Sequence, residues 1–193
     1  MASIAFPSLA KSVKLPSSTT YSYVWSPPSD SNPTILFLHG FPSSSYDWRH
    51  QISFFKAKKY GVLVPDLLGY GGTDKPASPE PYRLKTIATD IVAILDHEKL
   101  EKVHAVGHDF GSIQLARIIN YFPDRLLSCA FLVVPYSPPG QRFDLDMLKV
   151  LTEQVMGFEK FGYMRFMDRE DSGDVIDAHV CGFASFSWCF YIM

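Results

Sequence analysis

The chain has 193 residues, enough for one domain with a core of its own. Apolar residues make up 47% and charged residues 20%, the balance of a soluble globular protein rather than a disordered or membrane-embedded one. The formal net charge is −2 and there is no basic cluster, which argues against nucleic acid as a partner.

Met1 to Leu15 holds only short apolar runs, broken by Pro7, Lys11 and Lys14, and lacks the charged-then-apolar order of a secretory signal. No stretch reaches the length of a membrane-spanning helix. Cys129, Cys181 and Cys189 show no paired spacing of a zinc or redox site, and their odd number suggests a reducing compartment. A cytoplasmic protein is expected.

Residues 1–20 read as polar and irregular. Tyr21 to Trp25 reads as an edge strand, followed by a turn-rich connection through Pro27, Pro28 and Pro33. Thr34 to Leu38 is a continuous apolar run, the pattern of a strand buried on both faces. It leads into His39-Gly40-Phe41-Pro42 and a serine-rich segment that can cap a helix over Tyr46 to Lys58. Val62 to Val64 makes a second buried strand, and Pro65 to Asp74 is a glycine-rich loop. In Leu84 to Leu95, Ile87, Ile91, Ile94 and Leu95 share one face at helical spacing.

The most informative stretch is Val103 to Ser112. A short apolar strand runs into Gly107-His108-Asp109-Phe110-Gly111, and a helical pattern follows through Ile113 to Tyr121. This is the strand–turn–helix context of a nucleophile elbow, with Asp109 at the apex where many hydrolases carry Ser. The flanking glycines suit a turn too sharp for side chains. A carboxylate is ionised at neutral pH and needs no base to act as a nucleophile, so it can attack carbon and form an ester. Backbone N–H groups of Phe41 and Phe110 can both point at one oxyanion, and a cis Phe41–Pro42 bond fits the loop.

Other motifs read more plainly. Gly69 and Gly71 are not followed by the glycine of a dinucleotide fingerprint, so the loop reads as a structural turn with Asp66 in a supporting role. His108 reads as a packing or hydrogen-bonding residue, and His104 as a satisfied core histidine. Ser128 to Val134 is a further buried strand. Alternating strands and helices imply an α/β fold with a mostly parallel sheet flanked by helices.

After Pro135 the character changes. Residues 136–179 read as helical, rich in Met and aromatics, over Leu145 to Met156 and Phe158 to Met167, and suit a partial lid. Residues 180–193 form an uncharged tail. Residues 1–135 then make the N-terminal part of the core.

On His39-Gly40-Phe41-Pro42, on Pro65-Asp66-Leu67-Leu68-Gly69-Tyr70-Gly71-Gly72-Thr73-Asp74 and on Gly107-His108-Asp109-Phe110-Gly111, the chain resembles the α/β-hydrolase superfamily, in its epoxide hydrolase-like branch. The resemblance implies that Asp109 attacks an epoxide carbon, with Phe41 and Phe110 supplying the oxyanion amides. It likewise implies a vicinal diol as product and a small apolar epoxide-like substrate, with water as the second reactant. No metal or organic cofactor is called for. It also implies a lid tyrosine that hydrogen-bonds the epoxide oxygen; Phe161 to Phe166 looks like that segment, making the residue Tyr163, which reads equally as an aromatic packing a lid helix.

Two alternatives stand beside this reading. A haloalkane or haloacid dehalogenase shares the aspartate but tends to carry Trp or Arg after it, where this chain has Phe110. A non-catalytic binding protein keeps the fold alone. In the resembled family an acid and a histidine that activate water follow the lid. Here only His179 lies downstream, at the junction with the tail, and it is not assigned as the base. The expectation is a chain truncated at its C-terminal side, its tail read from an intron or shifted frame, with the Ser128–Val134 strand left as an open apolar edge.

Overall fold

The computed structural model describes residues 1–140 and 143–179. Among these residues, six strands form one sheet: β1 (Ala10–Lys14), β2 (Thr20–Ser26), β3 (Thr34–Leu38), β4 (Gly61–Pro65), β5 (Val103–His108) and β6 (Leu126–Leu132). Their order is β1-β2-β4-β3-β5-β6. β1 pairs with β2 and β2 with β4 antiparallel, while β4, β3, β5 and β6 run parallel. The N-terminal residues Ala2–Ala5 form a helical turn, α1. The parallel strands are joined by helices: α2 (Arg49–Ala57) between β3 and β4, α3 (Leu84–His97) between β4 and β5, and α4 (Phe110–Tyr121) between β5 and β6.

The apolar runs occupy the centre because a parallel sheet is covered on both faces. All five residues of β3 and all five of β4 are buried. Their side chains alternate between two cores. Leu36, Leu38 and Leu63 join Ile87, Ile91 and Ile94 of α3 and Leu115 and Ile118 of α4 on one side. Ile35, Phe37, Val62 and Val64 meet Trp48 and Ile52 on the other. Each fully buried Leu, Ile or Val contributes about 1.5–3 kcal/mol. The isoleucines predicted to share a face of α3 are all buried there.

The N-terminus differs from its expected irregularity. Besides the turn of α1, β1 pairs along β2 from Lys14 opposite Thr20 to Ala10 opposite Val24. β2 is therefore an inner strand, and β1 is the edge. The alternation of Ala-Lys-Ser-Val-Lys is a weak strand signal, but lysines on an edge discourage pairing with other chains. Among the described residues β6 lies at the other side of the sheet, starting two residues earlier than predicted. Leu127 and Leu132 on it are exposed among the described residues.

The chain divides into two compact units, Met1–Pro139 and a second that begins at Gly140. In the second, α5 (Leu145–Met156) matches its predicted span. Asp144 caps it, its carboxylate accepting the Asp146 and Met147 N–H groups at 3.0 Å each, and Gly157 ends it in the left-handed conformation. The two short helices α6 (Gly162–Met167) and α7 (Ser172–Ala178) follow. Arg165 bridges Asp146 and Glu159 at the surface. The residues of the tail, 180–193, lie outside those described. Among the described residues, no helix is long and apolar enough to cross a membrane.

Candidate active site

β5 delivers the chain to Asp109, and α4 begins one residue later. Asp109 has φ 52° and ψ −119°, close to the first central position of a type II′ turn, where glycine is the favoured residue. Holding a non-glycine residue there costs about 1–3 kcal/mol. The surroundings fix it. Its N–H donates to the Leu132 carbonyl at 3.1 Å, and its own carbonyl accepts the Ser112 N–H at 2.9 Å. The Ser112 hydroxyl lies 2.8 Å from Gly107 O and 3.2 Å from Leu132 O, a donor shared between the two carbonyls. The end of β6 thus clips the turn in place.

The carboxylate points toward the loop after β3. One oxygen, Oδ1, accepts two backbone N–H groups, from Phe41 at 3.0 Å and from Phe110 at 2.6 Å. The structure therefore brings Asp109, Phe41 and Phe110 together on a single oxygen. The Phe41–Pro42 bond is cis. Tyr163 lies on α6, in the second unit.

The glycines of the two motifs make this approach feasible. A Cβ on Gly40 would stand 2.5 Å from the Asp109 Cβ and 2.9 Å from its Oδ1. One on Gly111 would run into the Leu38 carbonyl, so α4 packs on β3 only without a side chain there. The two sequence motifs are two sides of one contact.

Behind this contact lies a supporting layer built on His39 and Asp66. His39 is fully buried; its Nδ1 is 2.9 Å from Gly40 O, and its Nε2 accepts the Leu67 N–H at 2.9 Å. Burial pushes its imidazole below the ordinary histidine range, against the smaller opposing effects of the Gly40 carbonyl and the Asp66 and Asp47 carboxylates. Asp66 is also fully buried. Its Oδ1 accepts the Ser45 N–H at 2.8 Å, and its Oδ2 accepts those of Ala2 at 3.1 Å and Gly72 at 3.0 Å. Burial alone would raise its pKa, but these donors outweigh that and hold the carboxyl below the usual range.

The remaining histidines of β5 behave differently from one another. His108 stands edge-on to Trp48, with ring centroids 6.5 Å apart, as a packing residue should. His104 is satisfied by the Ser128 hydroxyl at 2.7 Å, but it is half-buried rather than in the core. It shares the face of Val106 and His108, opposite the buried Val103, Ala105 and Gly107. Among the described residues, no cluster of three or more His, Cys, Asp or Glu suits a metal ion.

The alpha/beta hydrolase fold family model matches residues 33–174. Epoxide hydrolase 3 of Siraitia grosvenorii is 43% identical over 106 residues, covering 55% of this chain and 34% of that protein. Epoxide hydrolase A of Mycobacterium tuberculosis is 38% identical over 109 residues, covering 56% and 34%. Among solved structures, an epoxide hydrolase from Vigna radiata superposes with a TM-score of 0.72 at 28% identity, over 88% of this chain and 53% of that one. Epoxide hydrolase A from Mycobacterium thermoresistibile gives 0.71 at 27%, over 88% and 51%. The chain spans about a third of the length of these curated relatives and about half of these structures.

Proposed function

The chain belongs to the α/β-hydrolase family, in its epoxide hydrolase-like branch, and from that premise we propose that Asp109 opens epoxides by forming an alkyl ester. The observation that carries this reading is the pair of backbone N–H groups on Asp109 Oδ1. Two donors on one oxygen leave Oδ2 for the attack and are already placed for the charge of a later step.

In the first step an Oδ2 electron pair forms a bond to an epoxide carbon. The carbon–oxygen bond of the strained ring breaks, and its electron pair leaves on the ring oxygen, which takes a proton. Tyr163 is the residue proposed to give that proton; residues 136–179 then act as a lid and residues 1–135 as the core that presents the nucleophile. In the second step water attacks the ester carbonyl carbon. Negative charge grows on Oδ1, where Phe41 and Phe110 receive it, and collapse releases a vicinal diol and the carboxylate. A base must take the proton of that water. His39 is not assigned that role, since both its ring nitrogens are engaged. Nor is His108, which packs on Trp48. No step calls for a metal or an organic cofactor.

The test is consumption of a small aryl epoxide by the chain and by Asp109→Asn. Loss of epoxide with the wild type only, as bound ester or as free diol, supports the reading. Equal loss with both proteins overturns it, as does halide release from a chloroalkane with no reaction of the epoxide.

A further inference from the structure

The geometry points to His39 as the positioning residue of the oxyanion site: its neutral imidazole clamps the Gly40–Phe41 peptide so that the Phe41 N–H stays on Asp109. This rests on the reading of Phe41 as an oxyanion donor.

Hydrogen-bond roles fix the tautomer. Leu67 N–H can only donate, and Gly40 O can only accept. With Nε2 2.9 Å from the first and Nδ1 2.9 Å from the second, Nε2 must be bare and Nδ1 must carry the proton. The other tautomer would set a lone pair against a carbonyl and two N–H groups against each other. An imidazolium would do the latter at Leu67. One protonation state alone satisfies both neighbours.

Planarity of the peptide bond carries the restraint onward. Gly40 O and Phe41 N–H belong to one peptide unit, whose six atoms lie close to a plane. In a trans unit the oxygen and the hydrogen point in opposite directions. The imidazole holds the oxygen end at 2.9 Å, and Asp109 Oδ1 takes the hydrogen end at 3.0 Å. A plane gripped at both ends cannot turn. Glycine at 40 is forced by the approach of Asp109, and glycine is the residue whose backbone most readily rotates. The imidazole supplies the restraint that this glycine lacks.

The imidazole is itself held in place. Leu67 follows Asp66, whose carboxylate receives the Ser45 N–H from the far side of the same oxyanion loop. The loop from His39 to Ser45 is therefore pinned to the Pro65–Asp74 loop at both ends, through His39 upstream and Asp66 downstream. The rings of Tyr70 and His39 meet edge to face with centroids 5.2 Å apart. The hydrogen bonds of His39 go to Gly40 and Leu67, not to the Asp109 carboxylate, so it acts through the peptide.

Nitrogen-15 spectra of histidine-labelled chain at neutral pH read the tautomer directly, and amide hydrogen exchange reads the clamp. The wild type should show His39 with Nδ1 protonated and Nε2 bare. In His39→Phe, which keeps a ring but loses both bonds, Phe41 N–H should exchange about tenfold faster. Leu63 in β4 should be unchanged. His39→Asn carries an amide N–H near the Nδ1 position and should recover most of the Phe41 protection. The opposite tautomer or an imidazolium in the wild type overturns the proposal, and so does equal Phe41 exchange in all three proteins. None of these readouts needs an epoxide. A chain that shows the expected tautomer and exchange pattern yet leaves epoxides untouched would refute the ring-opening reading and keep the clamp.

Discussion

The backbone at Asp109 makes a sharp demand that stability measurements can read. Compare Asp109→Ala with Asp109→Gly. Both lose the carboxylate and its two N–H partners, so those losses cancel between the variants. What remains is the backbone at φ 52° and ψ −119°. A Cβ held there costs about 1–3 kcal/mol, and glycine escapes that cost. Glycine loses instead through the greater freedom of its unfolded chain, by about 0.4–1 kcal/mol. The difference favours glycine by roughly 0.5–2 kcal/mol, the reverse of the order at an ordinary helical or extended position. Urea unfolding followed by far-UV circular dichroism should place the Gly midpoint above the Ala midpoint by about 0.5 M. An Ala variant as stable as the Gly variant, or more so, would show that the turn is unstrained and would remove the physical account of the elbow.

Two buried carboxyls should respond to amide substitution with opposite signs. Asp90 is buried on α3, and burial raises its pKa against the lowering effects of Ser17 and Tyr21. A carboxyl whose folded pKa is raised weighs against the fold once pH exceeds its unfolded value, so Asp90→Asn should raise the melting temperature at pH 7. That gain should vanish below the ordinary carboxylate range; a loss of stability at pH 7 would contradict it. Asp66 has a depressed folded pKa, so its contribution is present above the unfolded pKa and is lost as pH falls through the lower, folded value. An Asn there must turn an NH2 toward at least one of the Ala2, Ser45 and Gly72 N–H groups. Asp66→Asn should therefore destabilise by about 1–3 kcal/mol in neutral denaturant titrations, and less in strong acid. Gly40→Ala should destabilise by about 1–3 kcal/mol and abolish epoxide consumption, because the new methyl meets Asp109 itself; an active, unperturbed variant would show that the two loops have slack.

What the sequence made legible was local or strongly periodic. Thr34–Leu38 and the isoleucine face of α3 are read correctly because burial writes a continuous or helical apolar pattern. The elbow is read from two glycines around an acid, set between a strand and a helix. β1 escaped because an edge strand needs no apolar face, and Ala-Lys-Ser-Val-Lys carries almost none. β2 reads as an edge when its neighbour is invisible. The supporting layer was legible only in outline: Asp66 reads as a supporting residue, but its partners do not. Asp66 gathers donors from residues 2, 45 and 72, and Ser112 reaches the carbonyl of Leu132. His39 could be seen as part of a motif, but its role depends on Leu67, 28 positions away. Such contacts are set by the packing of loops, which no local spacing encodes.

Asp109 is proposed to act as a nucleophile toward an epoxide carbon. The most direct measurement is peptide mapping by mass spectrometry after brief incubation of the chain with a small aryl epoxide and acid quenching. The expected result is one added epoxide mass, as an ester on Asp109, in the wild type and none at that position in Asp109→Asn. A wild-type peptide that never carries the label, or equal labelling of the corresponding peptide from the Asp109→Asn variant, would contradict the claim.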